Sequence, residues 1–248
     1  MLGLILGVHP ELELVDEDDL RFHTRSNLTY LLDLPGVRRA VAPDGKRFVF
    51  KAPRDTHRFE ELLSCGRGAR ILWVVRPVHQ VVASMCRLRV EGESWALTHA
   101  YREICKYLQA NADDQRTAEM CDAILEREDR RRREVELATL CWIVKEKSRS
   151  QAQRRHPDSV IVLDYVRLTS DPEAETRLLC SDLGLDWSRS LVAHHAVRKG
   201  ERIGGTSAER SIDRASQDLW KRELSPTDQG VIEKLLQSSG SGSMEGLR

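Results

Sequence analysis

The sequence predicts an α/β fold in which a parallel sheet is sandwiched between helices. Strand signals occur at 47–51, 71–75 and 160–165, alternating in the first and a continuous apolar run in the second, each followed by a segment of helical apolar spacing. The 248 residues contain no internal repeat, and that length can bury one substantial core. One domain over residues 1–238 is expected, with 92–150 as a helical layer and 239–248 as a flexible tail.

Each element has its own signal. Residues 1–8 read as a helix body stopped by His9-Pro10, because proline disfavours helical geometry in the residue before it. ELELVDEDD (11–19) carries six acids in nine positions and is expected to be a solvated loop. Ser26 is placed as the cap of a helix that Pro35-Gly36 ends after Leu34. RFVFK (47–51) alternates and reads as a strand, and Asp55 caps a short helix carrying Phe59, Leu62 and Leu63. ILWVV (71–75) is a strand covered on both faces. Pro77 then opens a helix with Val78, Val81, Val82 and Met85 inward.

Residues 92–150 hold a helical stripe at Leu137, Leu140, Cys141 and Val144. EREDRRRRE (126–134) has five arginines against four acids, so it reads as a solvated helix face. VIVLDY (160–165) is a third strand. Asp171-Pro172 begin a helix with Leu178, Leu179 and Leu183 inward and Gly184 as its C-cap. Ser225-Pro226-Thr227-Asp228 is a capping box opening the last helix.

Composition excludes several classes of function. The 39 Lys+Arg balance 39 Asp+Glu, so there is no basic surplus for wrapping a nucleic acid, although a local pocket for one anion is allowed. No apolar run spans a bilayer, and MLGLILGV lacks a basic flank and cleavage site, so neither a membrane span nor a signal peptide is read. The six cysteines have no CxxC or zinc-ligand spacing, which points to reduced thiols and a cytoplasmic protein. His194-His195 are adjacent and have no carboxylate partner at suitable spacing, so no metal site is expected. A nucleotide kinase would need GxxxxGK[ST], and no such string occurs.

In an open parallel sheet, ligands bind beyond the carboxyl ends of the strands. That rule selects Lys51, Arg76 and Asp164-Tyr165, with Ser84 on the helix after Arg76. A guanidinium fork and a hydroxyl can hold one phosphate from two sides. KAPRDTHRFEELLSCGRGARILWVVRPVHQVVASMCR (51–87) resembles the core of the sulfotransferases that use 3′-phosphoadenosine-5′-phosphosulfate (PAPS), with DYVRLTSDPEAETRLLCSDLGL (164–185) similar to a second family segment. Ser211-Ile212-Asp213 and Trp220 resemble the C-terminal stretch of bacterial members. The likeness is loose over about 1–235 and good over 47–88 and 160–187. Val166-Arg167 stand where the family has Glu-Asp, and Arg76-Pro77 where it has Arg-Asp-Pro.

The resemblance implies a three-layer, P-loop-NTPase-like parallel sheet and a sulfuryl transfer from PAPS to a hydroxyl or amine of a small molecule or peptide. It places Arg76 and Ser84 on the donor's 3′-phosphate and Tyr165 near the adenine. Glu17 falls at the general-base position beside Asp16, and Lys51 at the position that stabilises charge. His57 is a further histidine nearby, read as structural. Arg198-Lys199-Gly200 are similar to a segment that adds phosphate contacts. The resemblance also implies that the family's first strand and 5′-phosphosulfate loop lie upstream of Met1, making Met1 an internal start. The alternative class is a truncated or degenerate relative that binds adenosine 3′,5′-diphosphate or a partner without catalysis. Oligomeric state is left open.

Overall fold

The computed structural model describes residues 2–16, 19–26, 29–41, 47–197, 202–203, 206–207 and 211–240. In chain order, helix α1 (Leu2–Leu6) leads to strands β1 (Leu12–Val15), β2 (His23–Ser26) and β3 (Thr29–Leu32). Helix α2 (Leu34–Val41), strand β4 (Arg47–Phe50), helix α3 (Phe59–Leu63) and strand β5 (Ile71–Val75) follow. Next come α4 (Val78–Arg87), a small hairpin of β6 (Arg89–Val90) and β7 (Glu93–Ser94), and helices α5 (Tyr101–Ala110), α6 (Gln115–Leu125) and α7 (Arg130–Arg155). Strand β8 (Val160–Asp164) precedes α8 (Tyr165–Ser170), α9 (Pro172–Leu183) and α10 (His194–Val197). The chain ends with β9 (Arg202–Ile203), β10 (Thr206–Ser207), α11 (Trp220–Glu223) and α12 (Pro226–Ser238).

Two compact units result: residues 1–75 with 152–214, and residues 76–151 with 215–248. The first holds the parallel strands. β1 pairs with β4 from Leu12↔Arg47 to Val15↔Phe50, and β5 pairs with β8 from Ile71↔Val160 to Val75↔Asp164. Among the described residues no ladder joins one pair to the other. Side chains alternate across β5 and β8 as the pleat requires. Trp73, Val75 and Val160 pack with Phe59 and Ala152 on one face. Val74 and Leu163 pack with Ile5, Leu168, Cys180 and Leu191 on the other. Parallel strands with helices on both faces are the α/β class read from the sequence.

The second unit is helical. The stripe Leu137, Leu140, Cys141 and Val144 of α7 is almost wholly inaccessible and packs against Ile104 and Tyr107 of α5 and Ile124 of α6. Val78, Val82 and Cys86 of α4 join Val135, Ala138 and Ile232 in a neighbouring cluster. Buried charges are paired, as their desolvation cost demands: Glu103 accepts from Lys106 at 2.9 Å and Lys145 at 3.1 Å. All six cysteines are free thiols.

The structure corrects four local expectations. The acidic stretch is a loop only in part, because Leu12, Leu14 and Val15 form a strand on the edge of β4 and Val15 is fully buried. Pairing with β4 and the burial of Val15 outweighed the charge. Ser26 starts no helix but ends β2, whose ladder with β3 runs His23↔Leu32 to Ser26↔Thr29. Pro35-Gly36 do not end a helix but begin α2, since proline in a first turn forfeits no intrahelical hydrogen bond. A Cβ at Gly36 would meet the Asp33 carboxylate at 2.5 Å, so any side chain there would displace it. Asp55 makes no side-chain cap and instead accepts from the Leu32 amide and Arg58.

In α9, Leu179 is buried, but Leu178 is 54% exposed, one residue off the inward stripe. The remaining caps stand as read. Asp171 accepts from the Ala174 amide, Gly184 closes α9 at φ 62°, and the Ser225/Asp228 box is complete. The single helical layer over 92–150 is resolved into α5, α6 and α7 after a wider π-type turn at Ala96–Ala100.

Candidate functional site

At the carboxyl end of the β1–β4 pair, the Lys51 amide donates to the Val15 carbonyl at 2.9 Å and carries the ladder one residue further. That bond sets the Lys51 side chain beside Asp16, with Nζ 3.2 Å from Oδ1 and both groups mostly buried. An ammonium held by one carboxylate at a strand end is a positioned cation, more costly to displace than a solvated one. The structure thus joins Lys51 to Asp16, the acid next to the expected base. Glu17 itself lies outside the described residues.

At the end of β5, Arg76 is half-buried and its carbonyl accepts a hydrogen bond from Trp142 Nε1 of α7 at 3.1 Å. Pro77 sits at the N-cap of α4, so the chain turns directly from strand exit into helix. The first amides of that helix have no intrahelical acceptor, and their partial positive charge adds to that of Arg76. Ser84 lies on α4 eight residues beyond Arg76 and is half-buried.

Midway between them is Gln80, one helical turn before Ser84 on the same stripe. It is only 7% exposed, and its Oε1 has no hydrogen-bond partner among the described residues. The apolar stripe of α4 is Val78–Val82–Cys86, so Gln80 is buried away from the helix's apolar core face. Sequence reading missed both Gln80 and Trp142. The even spacing of polar residues 76, 80 and 84 was the available signal for the first, and nothing local marks the second. The His79 ring packs tilted against Trp220, with centroids 4.9 Å apart, and burial lowers its pKa.

At the end of β8, Asp164 caps α8 by accepting from the Val166 amide at 2.7 Å and the Arg167 amide at 3.2 Å. Tyr165 follows in the first turn, 7% exposed, with its carbonyl accepting from Thr169 Oγ1. Arg167, one of the two departures from the family segment, is tied to Glu175 of α9 at 2.6 Å. Lys51 and Tyr165 therefore belong to the first unit and Arg76 and Ser84 to the second.

Arg198, Lys199 and Gly200 lie outside the described residues. His57 sits in a 3₁₀ turn at Thr56–Arg58. His194 is fully buried, with the His195 ring edge-on at 5.8 Å. No cluster of three or more His, Cys, Asp or Glu among the described residues is arranged for a metal. No helix among them is long and apolar enough to cross a membrane.

This architecture is shared with solved sulfotransferase domains. The sulfotransferase domain from the curacin biosynthetic pathway aligns over 96% of this chain and 92% of its own, with 15% identity and a TM-score of 0.58. The sulfotransferase domain of the Synechococcus PCC 7002 olefin synthase aligns over 96% of this chain and 89% of its own, with 17% identity and a TM-score of 0.57. No family model and no curated protein sequence matches. The likeness defines the fold of this chain as that of sulfotransferase domains.

Proposed function

We propose that this chain is a sulfotransferase that takes a sulfuryl group from PAPS and places it on a hydroxyl or amine of a small-molecule or peptide acceptor. The observation that carries the reading is the β5–α4 corner: a half-buried Arg76 at a strand end, Ser84 on the following helix, and the unpartnered Gln80 Oε1 between them. That corner fits the 3′-phosphoribosyl end of such a donor. Guanidinium, hydroxyl and helix amides supply donors to the phosphate, and the buried carbonyl oxygen of Gln80 has acceptor capacity for a ligand hydroxyl.

In the reaction, the acceptor oxygen or nitrogen forms a bond to sulfur as the bond from sulfur to the 5′-phosphate oxygen breaks. The acceptor proton passes to a base, and adenosine 3′,5′-diphosphate leaves. Glu17 is the residue we assign as base. Lys51, held by Asp16, meets the charge that grows on the leaving phosphate. Tyr165 flanks the adenine, and Arg198, Lys199 and Gly200 add phosphate contacts. The free thiols support work in a reducing compartment such as the cytoplasm.

Two measurements test the reading. Calorimetry with adenosine 3′,5′-diphosphate is expected to show saturable binding, and radiolabelled PAPS with a panel of phenols and amines is expected to show transfer. Binding without transfer selects the non-catalytic relative, and absence of binding rejects the nucleotide site.

A further inference from the structure

The second unit carries a cavity of about 480 Å³ between the α6–α7 corner and one stripe of α12, and no role proposed above uses it. Its volume is that of a small-ligand site. Arg127, Arg132 and Lys234 bring three positive charges to its lining, against one carboxylate, Glu136. That leaves two positive charges uncompensated.

The arrangement of the charges is specific. The Glu136 carboxylate is 4% exposed and bonded from both sides, by Arg127 Nε at 3.3 Å and Arg132 Nε at 3.0 Å. A buried carboxylate needs such pairing, and here both bonds are made through Nε. The terminal Nη groups of both guanidiniums therefore have no acceptor among the described residues, while their planes are fixed by a shared anchor. Lys234 of α12 likewise makes no ion pair among the described residues. Val231 and Leu235 supply half-buried apolar wall. At Gly230 a side chain would meet nothing within 4 Å, so the glycine leaves the cavity open.

We propose that this cavity binds the dianionic head of a phosphomonoester with a short apolar stem. Two guanidinium edges and one ammonium match the charge and acceptors of a phosphate dianion, and Arg forks suit its planar pairs of oxygens. The apolar wall takes the stem.

The test is calorimetric titration of the full chain with phenyl phosphate, and with phenyl sulfate as a probe of the same shape and one charge fewer. One equivalent of phenyl phosphate is expected to bind, with phenyl sulfate about tenfold weaker. Arg132→Gln with Lys234→Gln should weaken phenyl phosphate by tenfold or more, as removal of two charged donors would. Gly230→Leu should remove that equivalent by filling the cavity. Its melting temperature should hold or rise, because leucine is the better helix former. Arg76→Ala should leave the equivalent in place. No saturable binding to the unaltered chain, or unchanged affinity in Gly230→Leu, overturns the proposal.

Discussion

Replacing Arg76 is the sharpest way to probe the proposed nucleotide site, because its main-chain carbonyl is bonded independently of its side chain. Trp142 bonds the Arg76 main-chain carbonyl, so a side-chain substitution leaves the strand exit tied to α7. A bidentate guanidinium–phosphate contact makes two charge-assisted hydrogen bonds. At a half-buried position their combined loss costs about 3 kcal/mol, or roughly a hundredfold in affinity. Ser84 gives one hydroxyl donor, and Ser84→Ala should cost about 1 kcal/mol, or fivefold.

Arg76→Lys keeps the charge and loses the fork, so a loss of about tenfold is expected, between the parent and Arg76→Ala. If both side chains hold one phosphate, the double variant Arg76→Ala/Ser84→Ala must depart from additivity by at least about 0.5 kcal/mol. The assay is calorimetry with adenosine 3′,5′-diphosphate beside adenosine 5′-phosphate, which lacks the 3′ group. Preference for the first should collapse in Arg76→Ala. If that preference survives intact, Arg76 does not hold the 3′-phosphate and the site assignment fails.

Two further predictions concern stability. Asp114 caps α6 through the Thr117 amide and also accepts from Tyr107 Oη, Thr117 Oγ1 and Lys147 Nζ at 2.7–2.9 Å. Asp114→Ala removes the cap and strands a buried tyrosine hydroxyl, a loss of about 3 kcal/mol measurable by urea unfolding. Burial pushes the Asp114 carboxyl up, but its Lys147, Tyr107 and Thr117 donors prevail and hold it near 2, below its ordinary 3.8. Its stabilising contribution is therefore complete above about pH 4 and fades as pH falls toward 2; an acid titration of Asp114→Asn should lack that component. His79 behaves in the same direction for a different reason. Burial depresses its pKa, with Glu233 opposing, so the unfolded chain takes up the proton first. Stability should be complete above the ordinary histidine value of 6.5 and decline as pH falls below it. Melts of His79→Phe between about pH 7.5 and 5.5 should show a flatter dependence than the parent.

The strands that carry Arg76 and Tyr165 were legible because a covered parallel strand is a short apolar run, and the one before Lys51 because its aromatic and β-branched residues have strand propensity. β1 was not read, because six acids between 11 and 19 surround its three apolar residues, of which only Val15 is buried. β2 and β3 were not read because Pro35-Gly36 look like a stop when they are a helix's first turn. The caps at Asp171, Gly184 and Ser225 act over three or four residues, within reach of a local pattern, whereas Ser26, of the same residue type, ends a strand and Asp55 makes no side-chain cap. Contacts that reach across the chain leave no such trace. Trp142 reads as one more apolar residue beside the α7 stripe, yet its indole fixes a carbonyl 66 positions away.

That long-range bond also bears on how a chain with no net charge could carry the anion site we propose. The anion site we propose at the β5–α4 corner needs no surplus of lysine and arginine, many of which are tied to neighbours such as Glu175 and Asp228. It rests instead on how little freedom remains in the main chain around Arg76. Arg76 leaves a strand whose ladder ends at Val75↔Asp164, its carbonyl is pinned by Trp142, and proline follows it. Ser84 and Gln80 are fixed in register by α4. With the main chain held at these points, the phosphate we propose here would order little more than one guanidinium. A single well-held arginine can then do what a broad basic surface does elsewhere.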